Sequence, residues 1–269
     1  MSGSDINFTN SIPEFYDTYL VPLIFEEFAK DLASRVMART PTSILETAAG
    51  SGVVTRIISA NLPDDAHLMV TDLNQDMLNH AQTKQPAQDN IKWQQADALD
   101  LPFEEKMFDV VACQFGFMFM PDKVKAAAEA KRVLKNGGAF IFNVWDRLEN
   151  NVFADLVTQA VGKLFPNDPP LFLDRVPHGY YDQDVIRDNL QNAGFKNISI
   201  HDKIATSSAL SALHAAMAYT HGTPLRNELI ARDPDCLQNV ALEAAKAIEN
   251  HCADGEIAGQ IRGFVITAS

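Results

Sequence analysis

The stretch Ser43–Thr55, Ser-Ile-Leu-Glu-Thr-Ala-Ala-Gly-Ser-Gly-Val-Val-Thr, constrains this chain more than any other. Ile44 and Leu45 read as the end of a short buried strand, with Glu46 at its carboxyl edge. Ala48, Ala49, Gly50, Ser51 and Gly52 make a tight turn of small residues, and Val53 opens an amphipathic helix. Small residues suit a turn where backbone must approach a ligand closely, and glycine alone takes positive φ without penalty. The helix behind the turn offers unpaired N–H groups to the crevice beyond the strand ends, where open α/β sheets bind ligands. Gly50 and Gly52 stand without the third glycine of a dinucleotide fingerprint, and the phosphate loop's Lys-Ser/Thr pair is missing. Glu46 would repel phosphate and suits a cationic ligand instead.

Three further apolar runs end in polar tips. His67–Asp72 reads as a second strand ending in an acid that can accept both hydroxyls of a ribose, or cap the helix Asn74–Lys84. Asn74 is the better placed cap, which leaves Asp72 for a ligand, so replacing Asp72 should cost affinity with little loss of fold. Ile91–Leu99 carries a third strand with the tip Asp97-Ala98, and Phe108–Cys113 a fourth, closed by Gln114. The apolar loop Phe115–Met120 reads equally as core packing or as the wall of an apolar pocket. Pro121-Asp122 starts a helix running to Leu134, the pair Gly137-Gly138 should terminate it, and Ala139–Trp145 is a fifth strand.

These features resemble the class I S-adenosylmethionine (SAM)-dependent methyltransferases, of the small-molecule ubiE, methyltransferase-11 and methyltransferase-25 kind. Glu46–Gly52 is similar to motif I, with Ala48 where the family usually has its first glycine. Asp72-Leu-Asn-Gln-Asp-Met-Leu is similar to motif II, and Phe108-Asp-Val-Val to motif IV. The helix, double glycine and strand over Glu129–Trp145 also follow the family's order. The resemblance implies a Rossmann-like, mostly parallel seven-stranded sheet in the order 3-2-1-4-5-7-6, its last strand antiparallel, with helices on both faces. It implies one α/β domain over 1–269, with a SAM-binding core at about 40–146. N-terminal helices 12–38 and insertions at about 147–180 and 208–235 would form a helical lid. The cofactor is then SAM, with S-adenosyl-L-homocysteine as product. Its expected contacts are Glu46, Ala48, Ala49, Gly50, Gly52, Asp72, Leu73, Met77, Asp97, Ala98, Gln114 and Phe115.

The remainder of the chain agrees with a small-molecule enzyme. A net charge of −13 and a pI near 4.9 argue against nucleic acid and anionic membranes as partners. No apolar run reaches the roughly 18 residues of a membrane span, and the N-terminus lacks the pattern of a secretory signal. Cys113, Cys236 and Cys252 fit a reducing, cytoplasmic setting and show no zinc spacing. Residues 1–12 are polar and loose in this reading. Pro22 interrupts the apolar periodicity of Ile12–Met37 and predicts two helices meeting there. Later segments predict helices over 150–165, 181–193, 209–219 and 240–252, strands over 195–201 and 260–267, and a loop over 171–178.

Methyl transfer from a sulfonium asks chiefly for alignment and exclusion of water. A base is needed only where the acceptor is a poorly ionised hydroxyl or a carbon acid. His178, His201, His214, His221 and Asp146 are candidates, each with a structural reading beside the catalytic one, and His178 and His221 rank first. No metal constellation is expected. The acceptor should be small and partly apolar, lying between Phe115–Met120 and the lid regions with His178 and His221. Tyr16, Tyr19, Phe119 and Trp145 are its candidate contacts. Tyr16 and Tyr19 equally read as simple packing. Monomer and homodimer both remain open. Two other functions fit part of the pattern: a SAM-binding protein without methyl transfer or using modified SAM, and a nicotinamide-dependent oxidoreductase. Asp72 alone would allow the latter, while the missing glycine and the Asp97-Ala98 tip count against it.

Overall fold

The computed structural model describes residues 15–253 and 255–269; the polar stretch 1–12 and the first residues of the expected N-terminal helix lie outside them. The strands are β1 (Ser43–Glu46), β2 (His67–Asp72), β3 (Ile91–Gln95), β4 (Phe108–Gln114), β5 (Leu134–Trp145), β6 (Ile198–Ser208) and β7 (Ala258–Ala268). They form one sheet in the order β3-β2-β1-β4-β5-β7-β6. The pairs β1–β2, β1–β4, β2–β3 and β4–β5 are parallel, and β7 runs antiparallel. Order and direction are those that the resemblance to the class I methyltransferases implies.

The chain falls into two compact units. The larger holds Glu27–Val144, Tyr181–Lys203 and Gly263–Ser269. Its helices are α1 (Glu26–Met37), α2 (Val53–Ser59), α3 (Gln75–Lys84), α4 (Lys123–Val133) and, later in the chain, Gln183–Asn192. Apolar residues one face deep explain the layering. Ile44, Leu68, Val70, Val110, Ala112, Ala139 and Ile141 point to one side of the sheet, where Leu32, Val36, Val54, Ile58 and Leu78 of α1, α2 and α3 cover them. Phe140 and Phe142 alternate to the other side, stacking at 4.6 Å and meeting Phe117 and Phe195. Asp109, the acid of the fourth strand's opening, accepts from the Thr42 and Ser43 N–H groups and pairs with Lys135 at 3.0 Å. It ties the start of β1 to β4, far along the strand from the small-residue turn.

The other unit holds the described part of Met1–Glu26 with Trp145–Tyr180 and Ile204–Arg262. Beside the Tyr16–Phe25 helix and parts of β6 and β7, its helices are α5 (Val152–Leu164), α6 (Phe172–Arg175), α8 (Ala212–Gly222), α9 (Leu225–Arg232) and α10 (Leu237–Cys252); α7 denotes the Gln183–Asn192 helix of the larger unit. Buried Val240, Ala241, Ala244, Ala245 and Ile248 make a single helical stripe on α10. Asn151 locks the entry to α5, donating to the Arg262 carbonyl and accepting from the Arg262 N–H.

Several local expectations are corrected. Tyr16–Phe25 is one π-helix containing Pro22, with no break there. The Glu26 N–H reaches back five residues to the Val21 carbonyl, the wider pairing of a π-helix, and the helix runs through Pro22. The helix before β5 ends at Val133, and Gly137-Gly138 lies within β5. There the pairing jumps from Phe108–Leu134 to Val110–Ala139, and Gly137 takes φ +82° in the resulting bulge. The loop expected over 171–178 contains α6, α9 was not foreseen as a separate helix, and β6 starts and ends later than predicted.

Candidate functional site

Residues paired across a parallel sheet point to one face, and faces alternate along each strand. Glu46 pairs with Val70 and Ala112, Asp72 lies two residues beyond Val70, Gln114 two beyond Ala112, and Asn143 pairs with Gln114. Glu46, Asp72, Gln114 and Asn143 therefore form a polar row at the carboxyl edge, on top of the apolar face covered by α1 to α3. The turn after β1 is drawn over this row. Its Thr47 N–H donates to the Ala112 carbonyl at 2.9 Å and its Ala49 N–H to Thr71 at 3.0 Å.

Three turn residues are left-handed: Ala48 (φ +52°), Gly50 (+57°) and Gly52 (+78°). Ala48, standing in place of the family's glycine, keeps the glycine backbone and bears its strain, about 1–2 kcal/mol. Gly52 is required on two counts, since a Cβ there would also lie 2.9 Å from the Ala81 Cβ. Gly116, after β4, presses so closely on Ala48 that a side chain would collide with its Cβ.

The acids differ in state. Glu46 is 2% exposed and accepts from the Thr55 hydroxyl at 2.6 Å. Burial pushes its carboxyl up to about 7, against the pull of the Thr55 bond. Asp72 accepts the Gly50 N–H on Oδ2 and the Asn74 N–H on Oδ1, both at 2.8 Å, and burial raises its pKa. Asn74 caps α3 through the Asp76 and Met77 N–H groups, as expected, yet Asp72 is not left idle: it clamps the turn. Each of its oxygens keeps further lone-pair capacity. Asp97 is exposed and holds its own loop through the Leu99 N–H, next to half-buried Ala98. Leu73, next in the chain to Asp72, is exposed, and Met77 in the first turn of α3 is buried. The Gln95 amide fastens the tips of β3 and β2 by donating to the Leu73 carbonyl.

Beyond half-buried Gln114, Phe115 is buried with φ +50° and meets Phe28 edge-on. Phe117, Met118 and Met120 are buried, so most of that apolar loop is core, while Phe119 is half-buried. Sequence reasoning missed Asn143 and the buried Ser51 hydroxyl, which has no hydrogen-bond partner among the described residues. A signal for Asn143 existed: it is the lone polar residue in Ala139–Trp145.

The helical unit contains the candidates Tyr16, Tyr19, Trp145, His178, His214 and His221. Tyr16 stacks on Phe25 at 5.0 Å, Phe25 meets Trp145, and Trp145 meets His178. Tyr19 lies 5.3 Å from Phe15 and 4.7 Å from His214, and Phe15 also stacks on His221. The His178 Nδ1–H donates to the Asp146 carbonyl at 2.8 Å, and burial pushes this histidine down to about 4, so it is neutral. The Asp146 carboxylate is held by the Arg147 N–H, the Asn150 amide and Arg262. Thr220 gives its hydroxyl proton to Ala216, so it accepts from the His221 Nδ1–H and leaves the His221 Nε2 lone pair. Burial, then Arg226, lowers the His221 pKa. His201, in the larger unit, is exposed on β6.

The set suits SAM rather than a phosphate. Carboxylates beside a left-handed turn carry the charge to face a cation and repel an anion. Fold and edge together define a class I SAM-dependent methyltransferase. The fold matches that of a Haemonchus contortus phosphoethanolamine N-methyltransferase 2 structure in complex with SAM, with a TM-score of 0.62, 13% identity and coverage of 100% of this chain and 60% of that one. The chain belongs to the ubiE/COQ5 methyltransferase family, whose model matches residues 9–218. It is 30% identical to the ubiquinone/menaquinone biosynthesis C-methyltransferase UbiE of Stutzerimonas stutzeri, covering 66% of this chain and 73% of that protein. It is 26% identical to the demethylmenaquinone methyltransferase of Staphylococcus carnosus, covering 74% and 86%. Among the described residues no helix is long and apolar enough to cross a membrane.

Proposed function

We propose that this enzyme methylates a small, partly apolar acceptor bearing a hydroxylated ring of the quinone-precursor type. The observation that carries the cofactor half is the edge itself, with Glu46, the left-handed turn Ala48–Gly52 and Asp72 on adjoining strand ends. The ring acceptor is supported by the names of the relatives and by half-buried Phe119 beyond β4. SAM supplies the methyl group, activated on a sulfonium. Glu46 and the turn N–H groups hold its amino-acid end, Asp72 its ribose hydroxyls, and Asp97 and Ala98 its adenine edge. Leu73 and Met77 pack on the base, and Gln114 and Phe115 bound the methionine part.

A hydroxylated ring must give up a proton on methylation. Within the helical unit His221 has the chemistry of a base, with Nδ1 committed to Thr220 and its pKa lowered by burial, then by Arg226. The free thiols Cys113, Cys236 and Cys252 support a cytoplasmic setting. The test is methyl transfer over a panel of hydroxylated naphthalene and benzene rings, aliphatic alcohols and amines. Turnover of ring substrates is expected, with Phe119→Ala raising acceptor KM far more than it changes SAM affinity. Turnover confined to aliphatic amines would overturn the reading.

A further inference from the structure

We propose that the side-chain amide of Asn143 binds an oxygen of the methyl acceptor. This rests on the ring-acceptor reading above. Asn143 is 0% exposed, and among the described residues neither its amide oxygen nor its amide nitrogen has a hydrogen-bond partner. Buried side-chain amides are nearly always paired, because losing water without a replacement bond costs free energy. An apolar residue of the same size would serve packing better here. Ala139 and Ile141 precede it on the same face of β5 and are fully part of the apolar core.

Its place in the row says what would satisfy it. Asn143 pairs with Gln114 across β4 and β5, on the face that carries Glu46 and Asp72. With adenine, ribose and amino acid assigned to the ends of β3, β2 and β1, and the reacting end of SAM to β4, the next strand end belongs to the acceptor. A primary amide both donates and accepts, so it fits a hydroxyl, and its N–H also stabilises that hydroxyl once ionised. It has no proton to exchange near neutral pH, so it positions the acceptor and leaves proton removal to another group.

The test uses Asn143→Leu in the full chain, with Asn143→Ser as a second variant should the first fold poorly. Three outcomes support the assignment together: ligand-free Tm equal to or above wild type, S-adenosylhomocysteine affinity within about twofold, and kcat/KM for a ring acceptor down by about 10–100-fold. A lower Tm with unchanged kinetics makes the amide structural and overturns the proposal. Affinity for S-adenosylhomocysteine falling in step with activity assigns it to the cofactor and overturns it as well. Wild-type turnover with an unaffected variant sinks this inference alone, whereas a wild type inactive on every ring acceptor removes the ring-acceptor reading and this inference with it.

Discussion

Replacing Asp72 with alanine separates two jobs of one carboxylate. Without ligand it accepts the Gly50 and Asn74 N–H groups, each at 2.8 Å, with the residue 9% exposed. Hydrogen bonds to a charged acceptor contribute about 1.5–3 kcal/mol each. Burial works against the charge and raises its pKa, so the two bonds together are taken at about 2–3 kcal/mol. At roughly 2–4 °C per kcal/mol for a chain of this size, Asp72→Ala should lower the ligand-free Tm by about 4–12 °C. The bond to Gly50 is why this exceeds the small effect predicted from sequence. If the same oxygens receive ribose hydroxyls, S-adenosylhomocysteine affinity should fall by a further ~1.5–3 kcal/mol, roughly 10–150-fold. Thermal melts and isothermal titration on wild type, Asp72→Ala and Asp72→Asn read both quantities. A lower Tm with unchanged affinity would reduce Asp72 to a turn clamp, and no change in either would refute the reasoning.

Glu46 gives a pH signature. Its pKa rises from 4.5 to about 7 in the fold, so its contribution to stability is complete below pH 4.5 and lost as pH climbs through 7, on the order of 3 kcal/mol in all. Glu46→Gln should flatten the decline of Tm over that window; parallel curves would show that another group titrates. Ala48→Gly should relieve left-handed strain of about 1–2 kcal/mol, offset by about 0.5–1 kcal/mol of glycine's chain entropy, leaving Tm equal or a few degrees higher. In that background Gly116→Ala should destabilise less than it does in wild type, because the Ala48 Cβ is the atom it strikes. Additive effects in a double-mutant cycle would deny the contact.

The strand tips were legible because buried parallel strands read as short apolar runs, so an acid ending each run marks the carboxyl edge. Glu46, Asp72 and Gln114 were found that way, and β1 to β5 with them. What escaped depends on bonds that side-chain periodicity does not encode. Pro22 looks like a break until the backbone adopts π pairing, and Gly137-Gly138 looks like a helix stop until β5 bulges past Asp109. Asn143 was visible as a polar residue in an apolar strand, yet its missing partners and its alignment with Gln114 require the register. Ala48 looked like a departure from the glycine pattern, whereas its φ of +52° shows the same backbone held at a cost. Position beside Gly and Pro turns singles out His178 and His221 among the histidines, and only hydrogen-bond partners distinguish the two, neutral and enclosed His178 donating to the Asp146 carbonyl and His221 to Thr220.

The central claim is that the carboxyl edge of β2, β1 and β4 is a SAM site. Isothermal titration of the full chain with SAM, S-adenosylhomocysteine and NAD tests it directly. One site per chain for each of the first two, and no heat from NAD, is the predicted result. Saturable NAD binding with no response to SAM or S-adenosylhomocysteine would contradict it.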